Sequence, residues 1–132
     1  MRILFVDDEQ YRMDTFLSNA IGSSVTFAYN ADSAIEILKR ESFDIIFLDH
    51  DLAPEHYASS HPDDKNGQYL CRKIMEHDIR VPWIIVHSLN PQGAARMIEV
   101  LGSFYRSRAL YIPMAWKLFS MTEKGWKIEL EP

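Results

Sequence analysis

The chain has 132 residues, 47% of them hydrophobic and 25% charged, with a formal net charge of −5. That length suits one domain with a real core, and the composition is that of an ordinary folded protein, which excludes a low-complexity or disordered chain. The acidic balance speaks against an extended nucleic-acid surface, since a long polyanion would be repelled unless metal or local arginines intervened.

The apolar run Ile3-Leu4-Phe5-Val6 predicts a strand buried on both faces, and it ends in three acids, Asp7-Asp8-Glu9. Met13, Phe16, Leu17 and Ala20 then recur at i, i+3, i+4 and i+7, the stripe of an amphipathic helix closed by Gly22-Ser23-Ser24. Val25 to Ala28 reads as a short second strand. Asn30 can cap a second helix, with Asp32 and Glu36 near its positive end and Ala31, Ala34, Ile35 and Leu38 facing inward. A third apolar run, Phe43 to Leu48, again ends in acids, Asp49-His50-Asp51.

From there to about Gly67, Pro54, Pro62 and a string of polar residues forbid a helix, leaving a loop over 50–66 that carries His56, His61, Asp63 and Asp64. Loops of more than about 12 residues in compact domains are commonly functional, and this one has the place and length of a lid. Leu70, Cys71 and Ile74 mark the third helix. Val81-Pro82 opens a fourth strand through Val86, and Asn90-Pro91 supplies the cap and first turn of a helix carrying Ala94, Met97, Ile98 and Leu101. Ala109 to Ile112 is the fifth strand. After Pro113 the pattern changes. Trp126, Ile128 and Leu130 alternate with Lys127, Glu129 and Glu131 behind the Lys124-Gly125 turn, which predicts an extra strand rather than a long final helix.

Five strand-helix units predict an α/β fold: a doubly wound, flavodoxin-like parallel sheet of order 2-1-3-4-5 with helices on both faces. We read residues 1–132 as a single domain in which 113–132 form a divergent C-terminal extension. Cys71 is the only cysteine, so no intrachain disulfide can form, and no apolar run approaches the roughly 20 residues that cross a bilayer. Met1-Arg2 leads straight into a strand, unlike a signal peptide, so the expected location is cytoplasmic.

Strand order 2-1-3-4-5 sets the first and third strands side by side, and ligands of such sheets bind at the carboxyl ends of the strands. Asp7, Asp8 and Asp49 therefore meet in one crevice. A single strand-end acid is ordinarily a solvated residue; three together repel unless a hard cation such as Mg²⁺ (or Mn²⁺) sits among them, and that cation attracts phosphate. His50 and His87 end the third and fourth strands, so both are expected at the same rim, flanking the phosphate and able to move protons near neutral pH. Ser88 could offer its hydroxyl to a phosphate oxygen, while Asn90 suits an N-cap. Glu9 suits the positive end of the first helix, and the tryptophans suit core or edge packing rather than base stacking.

Over about residues 1–112 these motifs resemble the receiver domain of two-component response regulators: Asp7-Asp8, Asp49 in the phosphoacceptor position, Gly67 before the third helix, and Val81-Pro82. The resemblance implies that Asp7, Asp8 and Asp49 hold Mg²⁺ and that Asp51 lends its backbone carbonyl. Two positions depart from that pattern. His87-Ser88 stands where a Thr or Ser is expected, and Ile112-Pro113-Met114 lacks the lysine expected after the fifth strand, with Lys117 the nearest substitute. Leu48-Asp49-His50-Asp51-Leu52 together with His87-Ser88-Leu89-Asn90-Pro91 more closely resembles the divergent cyclic-phosphate processing receiver domains. That resemblance implies a metal-dependent phosphoesterase, with Asp49, His50, His87 and Ser88 as catalytic candidates and a small phosphate ligand such as a cyclic nucleotide or an RNA end. The competing expectation is a signalling module phosphorylated at Asp49, or a pseudo-receiver binding a phosphate ligand without turnover.

Overall fold

The structure is a computed structural model and describes residues 1–52, 65–102, 108–122 and 124–129. Much of the expected lid, from residue 53 to 64, lies outside the described residues, and so do His56, His61, Asp63, Asp64 and Leu130.

Short runs of β-branched, leucine and aromatic residues form the sheet: β1 (Arg2–Val6), β2 (Ser24–Ala28), β3 (Ile45–Leu48), β4 (Trp83–Val86) and β5 (Ala109–Tyr111). All neighbours are parallel and the order is β2-β1-β3-β4-β5, as the alternation of strand and helix requires. β3 is buried along its whole length because both of its faces are covered. Residues of alternate parity serve opposite faces. Leu4, Val6, Ile46, Leu48, Ile84 and Val86 pack with α2 (Ala31–Arg40), α3 (Gly67–Glu76) and α4 (Pro91–Leu101). Ile3, Phe5, Ile45, Phe47 and Ile85 pack with α1 (Gln10–Asn19) and the C-terminal region.

Helix starts follow local chemistry. The side chain of Asn30 accepts from the Ser33 N–H at 2.8 Å, Asn66 from Tyr69 at 3.0 Å and Asn90 from Gly93 at 3.0 Å. Each such cap stabilises its helix by about 1 kcal/mol. The stripe of α1 is narrower than its periodicity suggests, for Met13, Phe16 and Ala20 are buried while Leu17 is exposed. Phe16 packs into the sheet, its ring lying 4.6 Å from Phe5, 4.7 Å from Phe47 and 5.2 Å from Phe119, and Leu17 points about 100° away from it around the helix.

The extra strand expected in the tail is present and has a partner of its own. A short α5 (Ala115–Leu118) leads into an antiparallel hairpin of β6 (Phe119–Thr122) and β7 (Gly125–Ile128), which form a sheet of their own. Its turn uses Gly125 at φ +125°, a conformation that side chains rarely adopt. The hairpin covers the second face of the main sheet: Trp126 meets Trp83 edge-on at 5.6 Å and stacks near Phe119 at 6.0 Å. The tryptophans thus pack the core edge, as expected of them.

Candidate metal centre

Strand register places the site. Val6 pairs with Leu48 and Leu48 with Val86, so the next residues, Asp7, Asp49 and His87, emerge abreast from three adjacent strands. The ladder runs one step further, since the N–H of Asp7 donates to Ala28, that of Asp49 to Val6 and that of His87 to Leu48. Asp8 follows at the mouth. One oxygen each from Asp7, Asp8 and Asp49 lie within 4.8 Å of one another.

Asp7 and Asp49 are buried, so their charges need compensation. Asp7 Oδ1 accepts from the Glu9 N–H at 2.9 Å, Asp7 Oδ2 lies 2.8 Å from His87 Nε2, and Asp49 Oδ1 accepts from the His50 N–H at 2.9 Å. Arg12 adds the nearby charge, with Nε 3.5 Å from Asp7 Oδ2 and Nη1 3.6 Å from Asp49 Oδ2. Burial nonetheless dominates and pushes the Asp49 carboxyl up to about 6; His87 pulls it back, Asp7 reinforces the rise, and Arg12 opposes it.

The histidines are close to the acids, but the expectation of two rim imidazoles needs correction. His87 is 0% exposed and stacks on Phe5, ring centroids 5.0 Å apart and planes at 15°. Its Nε2 is turned to Asp7 Oδ2. His50 is 2% exposed, with Nδ1 2.8 Å from Asp51 Oδ1 and 3.4 Å from Asn90 Nδ2. Its ring leans on α4 at Gly93, where a Cβ would stand 2.5 Å from the imidazole Cγ. His50 Nε2 and His87 Nδ1 bond to no described residue.

The remaining candidates have local duties. Ser88 is buried and its Oγ accepts from the Asn90 N–H at 3.0 Å, tying the turn into α4. The Asp51 carboxylate turns to His50 and stands outside the three-acid cluster, which leaves its main-chain carbonyl for the role implied by the receiver resemblance. Gly67 donates its N–H to the His50 carbonyl at 2.7 Å, and a Cβ there would lie 2.3 Å from the Asp49 carbonyl oxygen. Only glycine lets α3 come so near the end of β3.

A family model described as the cyclic-phosphate processing receiver domain matches residues 2–103. The chain belongs to this family. No curated protein sequence matches this receiver domain. Solved structures similar to it include a response regulator receiver domain protein from Methanospirillum hungatei (18% identity, TM-score 0.56, covering 85% of this chain and 79% of that one). A two-component response regulator from Clostridium difficile is 23% identical with a TM-score of 0.58, over 86% of this chain and 82% of the other. A Burkholderia pseudomallei response regulator protein, solved with a phosphorylated aspartic acid, calcium ion and citrate, is 21% identical with a TM-score of 0.54, over 85% of this chain and 59% of that chain. These likenesses show the receiver fold.

Within this receiver domain Lys117 does not replace the lysine missing after β5. Its carbonyl accepts from the Asn19 side chain at 3.2 Å, which fixes its backbone at the end of α1 about 10 Å along the helix from Arg12. Arg12 is the residue beside the acids that sequence reasoning missed. A signal existed, because a basic residue in the first turn of a helix opposes the macrodipole and needs a local reason. Gly93 was missed as well. The three-acid cluster fits a hard divalent cation, since its donors are carboxylate oxygens that lie within 4.8 Å of one another.

Proposed function

We propose that this receiver domain hydrolyses a cyclic phosphate, such as a cyclic nucleotide or a cyclic RNA end, with Mg²⁺ or Mn²⁺ held by Asp7, Asp8, Asp49 and the main-chain carbonyl of Asp51. The observation that carries the reading is the buried His87–Asp7 pair, 2.8 Å long, lying alongside Asp49 in a chain that lacks the receiver lysine. When bound, the cation would neutralise the phosphodiester oxygens and charge building on the leaving oxygen. Asp49 Oδ2 accepts a proton from the attacking water as its oxygen bonds to phosphorus. The ribose oxygen leaves, and the proton on Asp49 passes to it, giving a phosphomonoester and a free hydroxyl. Both imidazoles are buried and act through the carboxylates they bond, His87 orienting Asp7 and His50 orienting Asp51. Ser88 holds the β4–α4 turn against which His50 rests.

The test is a turnover screen of purified protein with Mg²⁺ against a panel of 2′,3′- and 3′,5′-cyclic phosphates, read by phosphorus NMR, with Asp49→Asn and His87→Ala as controls. Product from the wild type and at least a hundredfold less from Asp49→Asn is expected; no product across the panel would end this reading. A second reading is supported by the Burkholderia pseudomallei regulator, which carries a phosphorylated aspartic acid with a calcium ion: Asp49 accepts a phosphoryl group and the domain signals. In that case acetyl phosphate leaves a stable mass adduct on the wild type that Asp49→Asn lacks. Absence of both adduct and turnover leaves a binding module without chemistry.

A further inference from the structure

We infer that Arg12 is the phosphate-binding cation of this site: it neutralises Asp7 and Asp49 in the metal-free protein, and when a divalent cation takes over those carboxylates its guanidinium turns to the phosphate beside them. The inference rests on the metal reading above and adds a residue to it.

Three observations carry it. Arg12 stands in the first turn of α1, at the carboxyl edge of the sheet, and its side chain is only 17% exposed although the helix dipole disfavours a cation there. Something at the site must favour it. Its ion pairs of 3.5 and 3.6 Å are longer than the roughly 2.7–2.9 Å of a charge-assisted hydrogen bond, so the guanidinium is held by charge and its forked donors are not committed to either acid. The acids do not need those donors, because Asp7 is already bonded by the Glu9 N–H and His87 Nε2, and Asp49 by the His50 N–H.

A divalent cation among the three carboxylates removes the reason for Arg12 to lean on them and repels the guanidinium. The fork then matches the anion that the same cation attracts, since planar bidentate donors pair well with phosphate oxygens. Lysines offer no equal alternative. Lys65 is paired with Asp32 at 2.6 Å, and the backbone of Lys117 sits at the far end of α1.

The experiment is a pair of calorimetric titrations on wild type, Arg12→Ala and Arg12→Lys: first Mg²⁺ alone, then inorganic phosphate into the Mg²⁺-saturated protein. Arg12→Ala is expected to bind Mg²⁺ as tightly as the wild type or more tightly, and phosphate at least about tenfold more weakly. Arg12→Lys, which keeps the charge and loses the fork, is expected to fall between. Unchanged phosphate affinity in Arg12→Ala overturns the inference, and so does a tenfold loss of Mg²⁺ affinity, which would make Arg12 a prop for the acids. Wild type that binds Mg²⁺ but not phosphate also overturns it. Wild type that binds no Mg²⁺ sinks the metal reading itself. Thermal denaturation shows whether Arg12→Ala folds; if it does not, Arg12→Gln takes its place in both titrations.

Discussion

Asp49 carries the sharpest consequence at the scale of single residues. Its carboxyl ordinarily titrates at 3.8 and is pushed up to about 6, chiefly by burial. Below about pH 4 folded and unfolded chains both hold the proton. Between 4 and 6 the unfolded chain releases it while the folded chain keeps it, so stability falls as pH rises through this window and stays lower above it. Two units correspond to roughly 3 kcal/mol. In chelator, Asp49→Asn should therefore be more stable than the wild type at pH 7.5, by up to about 3 kcal/mol in urea unfolding, and the gain should shrink toward zero at pH 4. An equal gain at both pH values would show that burial of the charge is not its source. The acids themselves were legible in the sequence as polar ends on apolar runs. Arg12 was marked in the sequence only by its place in a first turn, and its part in compensating them was not legible, because its distance to Asp49 depends on how α1 seats on the sheet.

At the scale of elements, two glycines set how closely helices approach the site. A Cβ on Gly67 would meet the Asp49 carbonyl oxygen at 2.3 Å, and one on Gly93 would meet the His50 ring at 2.5 Å. The first obstacle is backbone, fixed by the sheet; the second is a side chain. Gly67→Ala should therefore cost more than Gly93→Ala, about 3 kcal/mol or more against about 1–3 kcal/mol, as measured by chemical denaturation. Gly93→Ala should also shift the His50 imidazole resonances while the fold persists. Equal costs would mean that α3 moves as freely as the His50 ring. Helix caps and strand runs were readable because they depend on neighbours in sequence, as Asn30 and Asn90 show. The β6–β7 hairpin was only half readable: alternation revealed β7, whereas Phe119–Thr122 alternates over just four residues behind a short helix and owes its form to pairing with β7 and to Phe119 packing on Phe16 and Phe47.

Across the whole molecule, the two cores on either side of the sheet enclose the crevice floor and leave Cys71 as an internal reporter. Its thiol is fully buried and pushed up to about 12 by burial. A thiol without access or thiolate character should react with an aromatic disulfide reagent only when the domain unfolds, at a rate that rises with urea in step with global unfolding. Fast labelling in the native state would show local opening of α3. Sequence by itself determined the class of fold, the order of its elements and the gathering of Asp7, Asp8 and Asp49, because hydrophobic periodicity and strand-end polarity are local properties that topology rules extend. Only the tertiary structure decided that both histidines are buried and that Arg12 faces the acids. Asp7 and His87 are 80 positions apart and meet at 2.8 Å through the register of three strands. That register is held by packing on both faces of the sheet, which no local pattern encodes.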